Sequence, residues 1–331
     1  MSEMLRAMVA TGQGEVEIRE FPMAPLESGE ARVKVEVNLI CGTDVHYLYD
    51  EQTPKTSPWG HERVGTLVEM TDAFPRQDQF GEPLELGDRV TVIASRCHQC
   101  YECVTLGTDF ACSGPPYEES PKQAPPRRTY GGMADYEIIP AGAHMYRIPD
   151  DMPDEVGAMA DPLATALYAV ERAHEPGVPA AWRGFGPGQI TVVQGSGGIG
   201  LLTAAAAKLS GAYRVIVVGA PEERLALCKA FGADETINIF KSEPSDRLEQ
   251  IRALTPFGVG PDVVFETAGV PEAFVEGLEM VRDSGTYLEV GHFSFRGNAE
   301  IDPSQICRKN VSILGVFCYA RPSDLGKAVR L

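Results

Sequence analysis

The spacing of apolar and polar positions divides the chain into two parts. Up to about Pro149, apolar residues alternate with polar ones, as in residues 31–40 (ARVKVEVNLI) and 88–94 (DRVTVIA), with Gly, Pro and Asp between the runs. A period of two marks strands with one buried face, so this part predicts a β-rich domain. From Asp161 the period changes. Residues 161–175 space their apolar positions as a helix does, with Asp161 placed as its N-cap and Pro162 as its first turn. Short apolar runs then alternate with amphipathic ones. Strands are predicted at 190–194, 214–219, 236–239, 262–269 and 285–291, and helices at 198–211, 223–233, 246–255 and 272–282. Strand and helix in strict alternation predict a parallel, doubly wound sheet, and the fold class is α/β. The boundaries read as 1–158 for the β-rich domain and 159–318 for the doubly wound one.

Composition narrows the function. The net charge is −18, from 29 Lys and Arg against 47 Asp and Glu, which speaks against a nucleic-acid partner. No apolar run approaches the ~20 residues of a membrane span, and the N-terminus lacks the apolar run of a signal peptide. A cytoplasmic chain with reduced cysteines is expected. Of the eight cysteines, Cys228, Cys307 and Cys318 read as buried small hydrophobes.

The other five cysteines suggest metal. Cys97, Cys100, Cys103 and Cys112 form C-x2-C-x2-C-x8-C. Four close thiolates can complete a tetrahedron around zinc with no open position, a structural site, although iron–sulfur clusters use the same ligands. Cys41 and His61 are of suitable ligand type for a second, open site, but no spacing rule joins them. Residues 113–130 carry five prolines and read as a long irregular loop.

Residues 195–200 fit G-x-G-x-x-G between a predicted strand and an Ala-rich helix. Gly195 permits the turn, Gly197 lets a pyrophosphate approach, Gly198 and Ile199 open the helix, and Gly200 allows close helix–strand packing. The next strand ends at Gly219, where an acidic residue that binds the ribose of NAD is expected. Its absence opens the way to NADP. Glu222 and Glu223 would repel a 2′-phosphate, whereas Arg224 would attract it, so the balance leans to NAD with NADP open.

Together the motifs carry a resemblance. Residues 41–46 (CGTDVH), Gly60-His61-Glu62, the four-cysteine lobe, residues 131–136 (GGMADY) and the 195–200 fingerprint stand in the order found in the zinc-containing medium-chain dehydrogenases, the alcohol, sorbitol and threonine dehydrogenase group. The resemblance implies a GroES-like catalytic domain, a Rossmann domain and an active site in the cleft between them. It places Cys41 and His61 on a catalytic zinc, with Glu62 as a ligand or beside the ligands. It also implies that Asp44 orients His61 and that Thr43 and His46 form a proton relay. Two zinc ions per chain follow, with a small alcohol or carbonyl compound as substrate. Where relatives hold Cys or Glu near the metal this chain has Asp161, which either approaches the metal or caps its helix. The cysteine lobe has one residue more than the family pattern. Residues 319–331 read as the start of a segment returning to the catalytic domain, and the chain stops in mid-helix. Relatives pair the strand at 311–317 with its copy, implying a homodimer or homotetramer. The implied activity is zinc-dependent hydride transfer between an alcohol, secondary or polyol, and NAD(P). The alternatives are a zinc-free reductase of the same superfamily and a non-catalytic dinucleotide-binding zinc protein.

Overall fold

The computed structural model describes residues 4–12, 14–49, 60–93, 100–106, 131–174, 185–292, 296–319 and 322–331. The chain forms two compact units, residues 1–161 with 320–331, and residues 162–319.

The first unit opens with an antiparallel ribbon of β1 (Met4–Gly12) and β2 (Glu15–Pro22). There follow β3 (Ala31–Asn38), helix α1 (Gly42–Tyr49), β4 (Arg63–Met70), β5 (Arg89–Ile93), β6 (Tyr136–Ile139) and β7 (His144–Arg147). The last five strands form an antiparallel sheet in the order β6-β3-β4-β5-β7. Alternation turns Val33, Leu67, Val90, Val92 and Ile139 to one buried core.

Helices α2 (Asp154–Ala158) and α3 (Ala160–Ala173) are separated only by Met159. This corrects the expected helix start. The chain leaves α2 almost directly into α3, so Asp161 lies inside the first turn and is not the N-cap.

The second unit runs β8 (Ile190–Gln194), α4 (Gly198–Leu209), β9 (Arg214–Gly219), α5 (Glu222–Ala230), β10 (Glu235–Asn238), α6 (Pro244–Ala253), β11 (Val263–Glu266), α7 (Pro271–Met280), β12 (Thr286–Glu289), α8 (Pro303–Lys309) and β13 (Ser312–Gly315). All pairings in its sheet are parallel, in the order β10-β9-β8-β11-β12-β13. The order reverses at β8, the switch point that defines a doubly wound sheet. All five β8 residues are buried, because helices cover both faces of a parallel sheet. Cys228 is buried in one of these layers, whereas Cys307 is exposed and Cys318 half-buried. The expectation for Cys307 fails because α8 buries none of its residues.

The last helix, α9 (Pro322–Arg330), belongs to the first unit. Tyr146 Oη donates to the Pro322 carbonyl at 2.8 Å, and the Arg330 guanidinium lies 3.3 Å from the Phe80 ring centre. Among the described residues no helix is long and apolar enough to cross a membrane.

Candidate active site

Strand register supplies the link between Cys41 and His61 that spacing lacks. Asn38 pairs with Arg63 across β3 and β4, and the Leu39 amide donates to the Glu62 carbonyl at 2.8 Å. Just beyond these strand ends lie Cys41, which follows β3, and His61 and Glu62, which precede β4. The ligand atoms of Cys41, His61 and Glu62 lie within 4.8 Å of one another. Behind them Arg63 and Glu137 form a buried ion pair through Arg63 Nε and, at 2.6 Å, Nη2. Arg63 Nη1 also donates to the His61 carbonyl at 3.2 Å, which fixes the turn that presents the imidazole. Nothing in the sequence pattern pointed to this brace.

Asp44 is buried in the first turn of α1. Its Oδ2 accepts from the Cys41 amide at 3.0 Å, and its Oδ1 lies 3.8 Å from His61 Nδ1. The second distance is longer than a hydrogen bond, so Asp44 faces the ring without bonding it. Burial opposes the charged form of His61, but the Cys41 sulfur and the carboxylates of Asp161 and Asp44 outweigh it and push the pKa up to about 9. Burial raises Glu62 above the usual carboxylate range, Asp161 adds to the rise, and His61 opposes it. The cluster therefore attracts positive charge. One sulfur, one nitrogen and one oxygen donor fit zinc and leave a fourth position for substrate. Asp161 stands outside this triplet, yet its charge acts on both His61 and Glu62.

Thr43 and His46 are half-buried on α1. Three residues apart, they share one face of the helix. Of the thiol lobe, Cys100 and Cys103 are half-buried on a short turn where the Val104 amide donates to the Cys100 carbonyl at 3.0 Å. Cys97 and Cys112 lie outside the described residues, as does the Pro-rich stretch 113–130.

In the second unit, Gly195-Ser196-Gly197 leads from β8 into α4, whose N-cap is Gly197. A Cβ at Gly200 would stand 2.1 Å from the Gly195 carbonyl oxygen, so only glycine permits this packing. Gly198, Ile199 and Gly200 form the first turn of α4. A cavity of about 460 Å³ opens at the carboxyl ends of the strands, lined by Gly195, Ser196, Gly197, Gly219, Arg224 and Thr267 among others. A larger hollow, about 660 Å³, lies at the opposite ends of β8 and β9. Ligands of doubly wound sheets bind at the carboxyl ends, so the smaller cavity is the candidate site for a dinucleotide.

Gly219 has a second reason to be glycine. A Cβ there would lie 2.7 Å from Ser196 Oγ and 2.8 Å from Ser196 Cβ. Ser196 Oγ is itself fixed by donating to the Ala220 carbonyl at 2.8 Å. Glu222, expected to repel a phosphate, is engaged elsewhere: it accepts from Lys241 Nζ at 2.7 Å and Asn238 Nδ2 at 2.9 Å. Lys241 and Asn238 hold its carboxyl below the usual range. Arg224 lines the cavity, and neither Glu222 nor Glu223 does.

Residues 27–150 match the alcohol dehydrogenase GroES-like domain, and residues 198–331 match the zinc-binding dehydrogenase family. The chain is 30% identical to 5-exo-hydroxycamphor dehydrogenase of Pseudomonas putida, with 98% of this chain and 87% of that protein covered. It is 31% identical to erythritol/L-threitol dehydrogenase of Mycolicibacterium smegmatis, over 96% of this chain and 85% of the relative. An alcohol dehydrogenase structure from Thermotoga maritima superposes with a TM-score of 0.85 at 26% identity, covering 99% of this chain and 88% of the other. Both domain matches stand in order and the two relatives match 96–98% of this chain, so the chain belongs to the zinc-containing medium-chain alcohol and polyol dehydrogenase family.

Proposed function

We propose that the chain transfers hydride between a secondary alcohol or polyol and NAD(P), using one zinc held by Cys41, His61 and Glu62. The observation that carries this is the convergence of those three donors at the ends of β3 and β4 in a chain of this family. When bound, zinc supplies a Lewis acid for the substrate oxygen, and the dinucleotide accepts the hydride. The protein's share is positioning and proton movement. Asp44 faces His61 and limits the directions its ring can take. Thr43 Oγ1 accepts the proton of the substrate hydroxyl as it gives up its own toward the His46 ring, which releases one proton to solvent. Asp161 adds negative charge beside the donors and favours a cation there.

At the other site, the amides of Ser196 and Gly197 and the start of α4 hold the pyrophosphate, while the Gly195 amide is taken by the Val218 carbonyl at 2.8 Å. Arg224 reaches the adenosine ribose. With Glu222 bound to Lys241, and Gly219 unable to carry a carboxylate beside Ser196, NADP⁺ is accepted at least as well as NAD⁺. This moves the expectation away from NAD. A second zinc is held by Cys97, Cys100, Cys103 and Cys112. β13 ends the sheet order, and its outer edge, which pairs with no strand among the described residues, supports pairing with a second copy in a homodimer or a dimer of dimers.

The test is turnover of a panel of alcohols and polyols with both dinucleotides, with zinc measured on the same preparation. Secondary alcohols oxidised only by zinc-loaded protein are the expected result. Reduction of activated double bonds by zinc-free protein would refute the proposal.

A further inference from the structure

Glu266 ends β11 with none of its surface exposed to solvent. Its Oε1 accepts from the amides of Ala268, at 2.7 Å, and Gly269, at 2.9 Å. Those residues form the turn after β11, and Thr267, Ala268 and Val270 line the dinucleotide cavity opposite the glycine loop. Its Oε2 is buried without a hydrogen-bond partner. This oxygen is 3.4 Å from His292 Nδ1 and belongs to a cluster with Glu289 and His292 whose polar atoms lie within 4.8 Å of one another. Glu289 already accepts from the His292 amide at 3.1 Å, from His292 Nδ1 at 2.9 Å and from Tyr287 Oη at 3.2 Å. The loops after β11 and β12 also touch through backbone. A Cβ at Gly291 would stand 2.4 Å from the Gly269 nitrogen and 2.6 Å from Glu266 Oε2.

We propose that Glu266 is a positioning residue that works as a neutral acid: Oε1 holds the amides of the cavity wall while the Oε2 hydroxyl donates a hydrogen bond to Glu289, tying the loops after β11 and β12 together for dinucleotide binding. The chemistry requires a hydrogen here. Two carboxylates this close in a buried place repel each other, and an ionised Oε2 would stay buried without a donor. The groups facing Glu266 are Glu289 and Tyr287 of β12 and His292 beyond it. From β8, its register partner is the uncharged Gln194. Burial first and Glu289 second push the Glu266 pKa up to about 8. This inference rests on the dinucleotide reading of the cavity.

The test measures NAD⁺ and NADP⁺ binding calorimetrically by the whole chain, well below and well above pH 8. In wild type, Kd rises about tenfold per pH unit once the acid ionises. Glu266→Gln offers the same carbonyl acceptor and an N–H donor without titrating, so its Kd stays flat. Glu266→Ala binds weakly at both pH values. Glu289→Gln removes the neighbouring charge and moves the wild-type break to lower pH.

Melting gives a second readout. A carboxyl whose folded pKa lies above its unfolded value loses stability as pH rises between the two. Glu266→Gln therefore melts higher than wild type above pH 8 and loses that advantage at low pH. Identical pH profiles for wild type and Glu266→Gln in both readouts overturn the inference. So does a third equivalent of zinc that disappears in Glu289→Gln, since a cation would then fill the role of the proton. If wild type binds no dinucleotide at either pH, the dehydrogenase reading fails, while the melting comparison still decides the state of Glu266.

Discussion

Gly219→Ala probes the link between the glycine loop and the missing ribose carboxylate. The added methyl would stand 2.7 Å from Ser196 Oγ, 2.8 Å from Ser196 Cβ and 3.0 Å from Ser196 N. Unstrained carbon contacts begin near ~3.5 Å, so Ser196 must retreat by roughly 0.5–1 Å. Rotating Oγ away breaks its bond to the Ala220 carbonyl, at about 1 kcal/mol. Rotation cannot move Cβ, so the loop backbone must also shift, an overpacking cost of about 1–3 kcal/mol. The expected destabilisation is about 2–4 kcal/mol. Ser196→Gly removes two of the three close atoms. In the double variant the loss should shrink, giving a coupling of about 1–3 kcal/mol in a cycle read from denaturant unfolding. The functional counterpart is Gly219→Asp, which supplies the carboxylate that favours NAD⁺ only when Ser196→Gly makes room for it. Strict additivity of the two substitutions, or a Gly219→Ala protein as stable as wild type, would refute the steric argument.

Other outcomes follow from the same geometry. Purified chain should carry two zinc ions, with Cys41→Ala lowering the count by one and Cys97→Ala lowering it by the other; a wild-type count of one would remove a site. Zinc binding should release protons, because the metal must displace the one on His61: apparent affinity falls about tenfold per pH unit below about 9. In the metal-free chain the sign is that of a raised base: the stability His61 contributes is full at low pH and is lost as pH rises through about 9. Arg224→Ala should raise KM for NADP⁺ about tenfold or more while changing that for NAD⁺ little; equal effects on both would place Arg224 away from the 2′-phosphate. His46→Gln should slow alcohol oxidation about tenfold or more at neutral pH and below, with partial rescue by imidazole and zinc content unchanged. An unaltered pH–rate profile would return His46 to an ordinary surface residue.

What was legible in the sequence depended on how local each signal is. The doubly wound sheet was read from five apolar runs and the helices between them, because period and order are properties of consecutive residues. The glycine loop was read for the same reason. Asp161 was misread as a cap, since a helix-like pattern does not say whether the preceding residues are already helical, and α2 runs to within one residue of α3. The Cys41–His61 pair could be named only through a family likeness. Its physical cause is the register of β3 against β4, a relation between residues some twenty positions apart that spacing rules do not encode.

The same limit explains why the acidic cluster went unread. In DVVFETAG, Glu266 looks like a polar residue closing a strand and meeting solvent; in GTYLEVGH, so does Glu289. Only the parallel pairing of β11 with β12 places Glu266 beside Glu289, since the two are register partners. Burial then makes the pair costly unless one carboxyl keeps its proton. A fold that needed only to close its sheet would end both strands with apolar or neutral residues at no such cost. Retaining two carboxyls and an imidazole behind the wall of the cavity proposed for the dinucleotide makes sense if their hydrogen bonds set that wall. This is why Glu266→Gln, which keeps the bonds and cannot ionise, separates a positioning role from mere burial.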